Sequence, residues 1–131
     1  MQRVTGIGGI FFKARDPEKL TAWYVQHLGL PTEEDGTSVV LRWGEGAAVP
    51  DARKGGTIFA PFAADTTYFE PGPAPFMINF RVADLDALLT ALRAEGVTIV
   101  GEVEAMEYGR FGWCLDPEGN KIELWEPAAG W

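Results

Sequence analysis

The chain has 131 residues, of which 47% are hydrophobic and 23% charged, a balance typical of a globular domain and not of a disordered chain. Nineteen acidic residues against eleven basic ones give a net charge of −8, which disfavours nucleic acid and anionic membranes as partners and favours a cationic or neutral small molecule. The single cysteine, Cys114, excludes a disulfide scaffold, and no apolar run approaches the ~20 residues of a membrane span, so we expect a cytoplasmic protein.

A weak internal repeat divides the chain into two similar halves. At an offset of 68 residues, six positions match in character: Ile10, Phe12, Lys13, Ala14, Asp16 and Leu20 against Ile78, Phe80, Arg81, Val82, Asp84 and Leu88. Self-similarity of this kind indicates two copies of one supersecondary unit. We predict one domain over 1–131, with module one at about 5–65, a Pro/Gly-rich linker at about 66–75 and module two at about 76–127.

Module one begins with a strand over 8–14, where apolar residues alternate. A helix follows, because Asp16 can accept an N-cap hydrogen bond and Pro17 suits the first helical position. Gly29 fits a left-handed C-cap at its end. The apolar stripe of this helix consists of Leu20, Trp23, Tyr24 and Leu28. The remaining predicted strands of the module are 37–43 and 57–62.

Module two repeats this order, with a strand over 76–82 and a helix capped by Asp84 that ends near Gly96. The apolar stripe of the second helix consists of Leu85, Leu88, Leu89 and Leu92. The later strands are predicted at 97–100, 110–115 and 121–126. The segment 116–120, Asp-Pro-Glu-Gly-Asn, has the composition of a turn between the last two strands.

These segments resemble the vicinal oxygen chelate superfamily, which contains glyoxalase I, bleomycin-resistance proteins and extradiol dioxygenases. The resemblance lies in the first strand with its Asp cap, Trp23-Tyr24, the stretch 27–30 (His-Leu-Gly-Leu), and the hairpin 115–124 (Leu-Asp-Pro-Glu-Gly-Asn-Lys-Ile-Glu-Leu). It implies an α+β fold of two tandem βαβββ modules, whose sheets form a U-shaped cup with helices on the outer faces.

Family enzymes commonly hold a divalent metal in that cup, and the resemblance places the ligand positions at Gly9, Met77, about Phe59, and Glu123. Only Glu123 is a suitable ligand, whereas a catalytic zinc usually has three protein ligands. We therefore predict a protein without a metal cofactor. The alternative is one divalent metal at a non-standard site that recruits acidic residues before the 110–115 strand: Glu102, Glu104 and Glu107.

Strand alternation predicts which side chains face the cup, with Lys121 near its open edge. They are Phe11, Lys13, Phe59, Met77, Asn79, Arg81, Glu123 and Trp125; Trp43 and Trp113 are added although their strand parity is not fixed. Aromatic walls with a few polar groups are typical of a small-molecule pocket. The alternative is that these residues only pack the modules together, with Glu123 ion-paired to Arg81 or Lys13.

Other reactive side chains are interpreted as structural. His27 is expected at a helix end, Cys114 as a buried hydrophobe, and Tyr108 as a surface-loop residue that is only an alternative proton donor. Trp131 is a candidate contact in an expected homodimer.

Three functions stay open. The first is a metal-free protein, similar to the bleomycin-resistance branch, that binds a small aromatic molecule, either cationic or neutral. The second is an enzyme related to glyoxalase I or the dioxygenases, with Glu123 as the candidate catalytic base or with a relocated metal. The third is a structural homodimer with a filled cup.

Overall fold

The computed structural model describes residues 3–43 and 55–131, which form one seven-stranded sheet with two helices. The strands are β1 Val4–Ala14, β2 Val39–Arg42, β3 Gly56–Ala63, β4 Phe76–Val82, β5 Glu104–Met106, β6 Gly109–Leu115 and β7 Lys121–Pro127. The helices are α1 Pro17–Leu28 and α2 Leu85–Ala94. Across the sheet the strand order is β2-β3-β1-β4-β7-β6-β5.

The two modules meet at the centre of this sheet. Strands β1 and β4 pair antiparallel, with Ile10 opposite Ile78 and Gly9 opposite Asn79. Each of these first strands also pairs parallel with the last strand of its own module, β1 with β3 and β4 with β7. This repeated arrangement confirms the α+β fold class and the two related units.

Both helices begin where the sequence predicts. The Asp16 carboxylate accepts a hydrogen bond from the backbone N–H of Lys19 at 3.1 Å, and Asp84 accepts one from Ala87 at 3.0 Å. These contacts satisfy N–H groups that have no partner within the helix. Gly29 ends α1 with a φ of 67°, the left-handed C-cap that its position indicates.

The helices differ in how well they are packed. In α2, Leu85, Leu88 and Leu89 are buried as predicted. The predicted apolar stripe of α1 is wrong in part, because Leu28 is 62% exposed and the helix contains no buried residue. Helix α1 packs chiefly on β3 and β1 and leaves much of its apolar surface exposed.

One strand of module two also differs from prediction. The segment 97–100 contributes only an isolated bridge, between Ile99 and Cys114. Gly101 then turns the chain with a φ of 68°, and the short exposed strand β5 follows. The turn at 116–120 is as predicted, since the Asp116 carboxylate accepts from the backbone N–H of Glu118 and of Asn120, both at 2.9 Å.

Apolar clusters cover both faces of the sheet. Beneath α2 lies a cluster of Val82, Leu85, Leu88, Leu89, Cys114 and Leu124. The opposite face, which we call the cup, is formed by Phe11, Phe69, Met77, Phe111, Trp113 and Trp125. Neither helix of the described chain has the length and hydrophobicity needed to traverse a bilayer.

Candidate functional site

A buried carboxylate lies at the base of the cup. Glu123 is 2% exposed, and its Oε1 accepts a hydrogen bond from Asn79 Nδ2 at 2.7 Å. Its Oε2 accepts from Trp113 Nε1 at 2.8 Å and from the Tyr68 hydroxyl. These donors are all neutral, so the predicted alternative of an ion pair with Arg81 or Lys13 is wrong. Three donors compensate the carboxylate for the water that it loses on burial.

Strand register brings two of these donors to Glu123. Asn79 of β4 is the parallel partner of Glu123 in β7, and Trp113 of β6 is its antiparallel partner. Directly opposed side chains lie about 5 Å apart at Cβ, which is within reach of an amide or an indole. Asn79 is 1% exposed, and its Oδ1 has no hydrogen-bond partner within the described ranges.

The third donor comes from outside the sheet. Tyr68 and Phe69 lie in the connection between β3 and β4, which the sequence predicts only as a linker, and Phe69 is 2% exposed in the cup. Lys121 holds this connection, because its Nζ donates to the backbone oxygen of Tyr68 at 2.8 Å and lies 5.1 Å from the centre of the Tyr68 ring. The only sequence signal for the burial of this segment is that two adjacent aromatic residues, Tyr68 and Phe69, occur in an otherwise polar stretch.

The predicted cup-facing residues are mostly brought together. Phe11, Met77 and Trp125 belong to the cup cluster, with Trp125 stacked on Phe111 at 5.9 Å between ring centres. Lys13, in contrast, is exposed at the end of β1.

The prediction for Phe59 is wrong. Its ring lies on the helix side of the sheet, 5.0 Å from the ring of Tyr24 in α1 and 5.3 Å from that of Phe12. Strand β3 pairs with β1 so that Gly9 lies opposite Ile58, which turns the even-numbered residues of β3 toward the cup. The face of the sheet that a β3 side chain occupies depends on this register, which the sequence does not specify.

Arg81 forms the other charged end of the cup. It is 7% exposed, and its guanidinium lies 4.9 Å from the ring centre of Trp125 and 5.1 Å from that of Trp43. Its Nη2 donates to the backbone oxygen of Trp131 at 2.6 Å. Trp43 therefore lies beside the cup. The sequence alone does not establish this position, because the strand parity of Trp43 cannot be assigned from the pattern.

Burial changes the proton affinities of three groups in the cup. Desolvation, followed by the charge of Glu123, raises the pKa of the Tyr68 hydroxyl well above its ordinary value. Burial lowers the pKa of Lys121, and burial together with Arg42 lowers that of Arg81. Tyr68 is thus a hydrogen-bond donor at neutral pH, which suits its contact with a carboxylate.

The family's metal does not fit the residues present. Gly9 and Met77 offer no suitable ligand. In module two, Glu123 is the strand partner of Asn79, and the residue of module one that corresponds to Asn79 is Phe11. The strand partner of Phe11 is Ala60, which cannot bind a metal. The donor hydrogens of Asn79, Trp113 and Tyr68 point at Glu123, where a metal ion would require unoccupied lone pairs. Within the described ranges, His, Cys, Asp and Glu form no group of three that could hold a metal.

Apart from Trp131, the remaining candidate residues lie outside the cup. His27 is in the last turn of α1, 5.0 Å from the Trp23 ring, and Cys114 is buried beneath α2, which raises its thiol pKa. Glu102, Glu104 and Glu107 are exposed. Trp131 packs against the cup cluster; the expected homodimer stays a prediction.

The fold and site define an α+β cup protein, with a βαβββ second module, in which one carboxylate is buried at the base of the cup. The family model described as the Glyoxalase/Bleomycin resistance protein/Dioxygenase superfamily matches residues 6–124. The chain therefore belongs to this superfamily, as its sequence motifs indicate. No protein with a curated description is detectably similar to it in sequence.

Solved structures share the fold. Methylmalonyl-CoA epimerase from Mycobacterium tuberculosis is 25% identical, with a TM-score of 0.64 over 98% of this chain and 91% of that one. The Streptomyces coelicolor epimerase, in complex with 2-nitronate-propionyl-CoA, is 19% identical, with a TM-score of 0.67 over 96% and 99%. A structure described as an NAD-dependent benzaldehyde dehydrogenase from Legionella pneumophila is 16% identical, with a TM-score of 0.59 over 92% and 98%. The last two likenesses concern the fold alone.

Proposed function

We propose that this protein binds a small aromatic molecule in the cup, without a metal, through a hydrogen-bond donor or cation that the molecule places against Glu123. The observation that carries the proposal is the buried carboxylate of Glu123, one of whose three donors belongs to the β3–β4 connection and not to the sheet. A ligand donor can replace the Tyr68 hydroxyl while Asn79 and Trp113 keep the carboxylate in place.

The walls of the cup suit a flat ring. Trp113 lies edge-on to the Tyr68 ring, with the two ring centres 6.4 Å apart, and Phe62 stacks on the same ring at 5.7 Å. An aromatic ligand that takes the place of Tyr68 inherits both contacts, each worth about 0.5–1.5 kcal/mol beyond the area it buries. A ligand N–H to a carboxylate adds a charge-assisted hydrogen bond, which is stronger than one between neutral groups.

Because Tyr68 occupies this position, ligand binding competes with it. The apparent dissociation constant is the intrinsic one divided by the fraction of molecules in which Tyr68 has left Glu123. Removing the Tyr68 ring therefore increases affinity for a ligand of the same size. This competition distinguishes a ligand in the cup from one bound elsewhere on the surface.

The test is isothermal titration calorimetry with two probes of similar shape: benzamidine, a planar aromatic cation with N–H donors, and acetophenone, which has none. We expect Tyr68→Ala to bind benzamidine more tightly than the wild type does. In the Tyr68→Ala background, Glu123→Gln weakens benzamidine at least about tenfold, or 1.4 kcal/mol, and leaves acetophenone unchanged. Glu118→Gln is the matched control, since Glu118 lies exposed in a turn.

Two results would contradict the proposal. One is equal affinity of benzamidine for the Tyr68→Ala protein with and without Glu123→Gln, the fold being intact by circular dichroism. The other is that no binding of benzamidine is detected in Tyr68→Ala. Elemental mass spectrometry of protein purified without chelator tests the metal-free part, since near-stoichiometric metal would make the enzyme hypothesis the better one.

A proton-transfer enzyme is the second candidate, favoured by the likeness to methylmalonyl-CoA epimerase and by the hydrogen bond between Tyr68 and Glu123. In this hypothesis Glu123 takes a proton from a carbon next to a carbonyl, and Tyr68 stabilises the resulting oxyanion. Proton NMR of methylmalonyl-CoA in D₂O is the test. Deuterium incorporation that Glu123→Gln abolishes supports an enzyme, and its absence, with benzamidine bound, supports the binding protein.

A further inference from the structure

A lysine ammonium lies against the position that the proposed function assigns to the ligand ring. Lys121 Nζ is 5.1 Å from the centre of the Tyr68 ring and 5.4 Å from the centre of the Trp113 ring. Both distances are within the roughly 6 Å at which the face of an aromatic ring attracts a cation. Lys121 is half-buried, so bulk water screens this attraction less than it does at an exposed site.

Contacts with the main chain hold the ammonium in this place. Lys121 Nζ donates a hydrogen bond to the peptide oxygen of Tyr68 at 2.8 Å. The β3–β4 connection lies directly on Lys121, and Gly72 permits this approach, because a Cβ there would be 2.8 Å from the backbone nitrogen of Lys121. Neither contact involves the phenol of Tyr68. Lys121 is therefore expected to keep its place when a ligand ring replaces the Tyr68 ring.

We propose that Lys121 makes the cup selective for an electron-rich aromatic ring with a neutral hydrogen-bond donor, such as a phenol, over a ring that carries a positive charge. The inference rests on the proposed function, which leaves the donor open between a neutral group and a cation, and it assigns the neutral one. A neutral donor already occupies this position, since the Tyr68 hydroxyl donates to Glu123.

The two charges of the cup act on different parts of such a ligand. Glu123 accepts a hydrogen bond from a group at the edge of the ring, whereas Lys121 lies over its face. The face of a phenol is the negative part of its quadrupole, so it attracts the ammonium. A ring with a cationic substituent is attracted by Glu123 but repelled by Lys121. A saturated ring has no negative face, so Lys121 gives it no such attraction.

The test is calorimetry in the Tyr68→Ala background with phenol, benzamidine and cyclohexanol, which carries the same hydroxyl on a ring without π electrons. Adding Lys121→Gln removes the charge and keeps an N–H that can reach the peptide oxygen of residue 68. We expect it to weaken phenol at least about fivefold, to change cyclohexanol less than about twofold and to strengthen benzamidine at least about threefold. Lys19→Gln, the matched change at an exposed lysine of α1, is expected to alter none of the three affinities.

Opposite changes for phenol and benzamidine cannot arise from lost packing, which weakens all three probes. Equal changes for the three probes, an unchanged affinity for phenol, or weaker binding of benzamidine after Lys121→Gln would overturn the assignment. Lys121→Arg keeps a cation that stacks on aromatic faces, and it is expected to retain the preference of the Tyr68→Ala protein for phenol over cyclohexanol. If the glutamine variant fails to fold, loss of this preference in Lys121→Arg refutes the inference.

Failure of this inference is distinguishable from failure of the proposed function. The proposed function depends on the loss of benzamidine affinity in Glu123→Gln, whereas the selectivity depends on Lys121→Gln with Glu123 intact. Benzamidine that binds through Glu123, together with a phenol affinity that ignores Lys121, leaves the proposed function standing and removes the selectivity.

Discussion

Replacement of Tyr68 by phenylalanine removes one hydroxyl from the cup and leaves the ring in place. Glu123 then keeps two of its three donors, from Asn79 and Trp113. Because Glu123 is 2% exposed, water reaches the vacated position poorly. A hydrogen bond to a charged group contributes about 1.5–3 kcal/mol, and we expect the free energy of unfolding to fall by this amount.

The expected change in melting temperature follows from the size of the chain. An unfolding entropy of about 2.1 cal/mol/K per residue, over 131 residues, gives about 0.28 kcal/mol/K. A loss of 1.5–3 kcal/mol therefore lowers Tm by about 5–11 °C. Differential scanning calorimetry measures this shift directly.

The matched control is Tyr24→Phe, since the Tyr24 ring packs edge-on against Phe59 and its hydroxyl has no hydrogen bond within the described ranges. That variant is expected to change Tm by less than about 2 °C. A double-mutant cycle with Glu123→Gln isolates the contact, and the coupling energy should be at least about 1 kcal/mol. Equal shifts in the two phenylalanine variants, or no coupling to Glu123, would refute the view that Tyr68 stabilises this carboxylate.

Three further predictions concern pH and packing. Below pH ~10 Tyr68 is protonated in both the folded and the unfolded state. Above this pH the unfolded chain releases the proton first, so the free energy of unfolding falls as the pH rises. The fall is at most about 1.4 kcal/mol per pH unit, and solvent screening makes it smaller. Denaturant titrations from pH 9 to 11.5 should show a weaker fall in Tyr68→Phe. Leu85→Ala, at a fully buried position, should lower the free energy of unfolding by about 2–5 kcal/mol in a denaturant titration. Leu28→Ala, at an exposed position, should lower it by less than about 0.5 kcal/mol. Amides of α1, which buries no residue, should exchange with D₂O before those of α2; the reverse order would contradict the packing described above.

Local chemistry was sufficient to predict much of the fold. The Asp caps at residues 16 and 84 and the αL glycine at 29 depend on contacts within one turn, so they can be predicted without tertiary information. The alternation in β4 and β7 placed Asn79, Arg81, Glu123 and Trp125 on one face, and all four are buried.

Predictions failed where a contact joins segments that are distant in sequence. The parity of β3 depends on its register with β1, and Phe59 was consequently assigned to the wrong face. Tyr68 lies 55 residues from Glu123 in a segment without periodicity, and no local pattern indicates that it reaches the carboxylate. Its neighbour Phe69 is 2% exposed, and no local pattern indicates this burial either.

The electrostatics of the cup favour a binding site over a core selected for stability alone. Glu123 and Arg81 have opposite charges and lie on neighbouring strands, yet they do not pair: Glu123 accepts from neutral donors, and Arg81 donates to the main-chain oxygen of Trp131. Asn79 lies between them, donates to Glu123, and leaves its Oδ1 buried without a hydrogen-bond partner in the described ranges. A buried unsatisfied acceptor costs about 1–3 kcal/mol, and an apolar side chain of similar size would avoid that cost. Sites that violate the rules of stable packing in this way are where proteins place functional groups, because an unmet acceptor is available to a ligand.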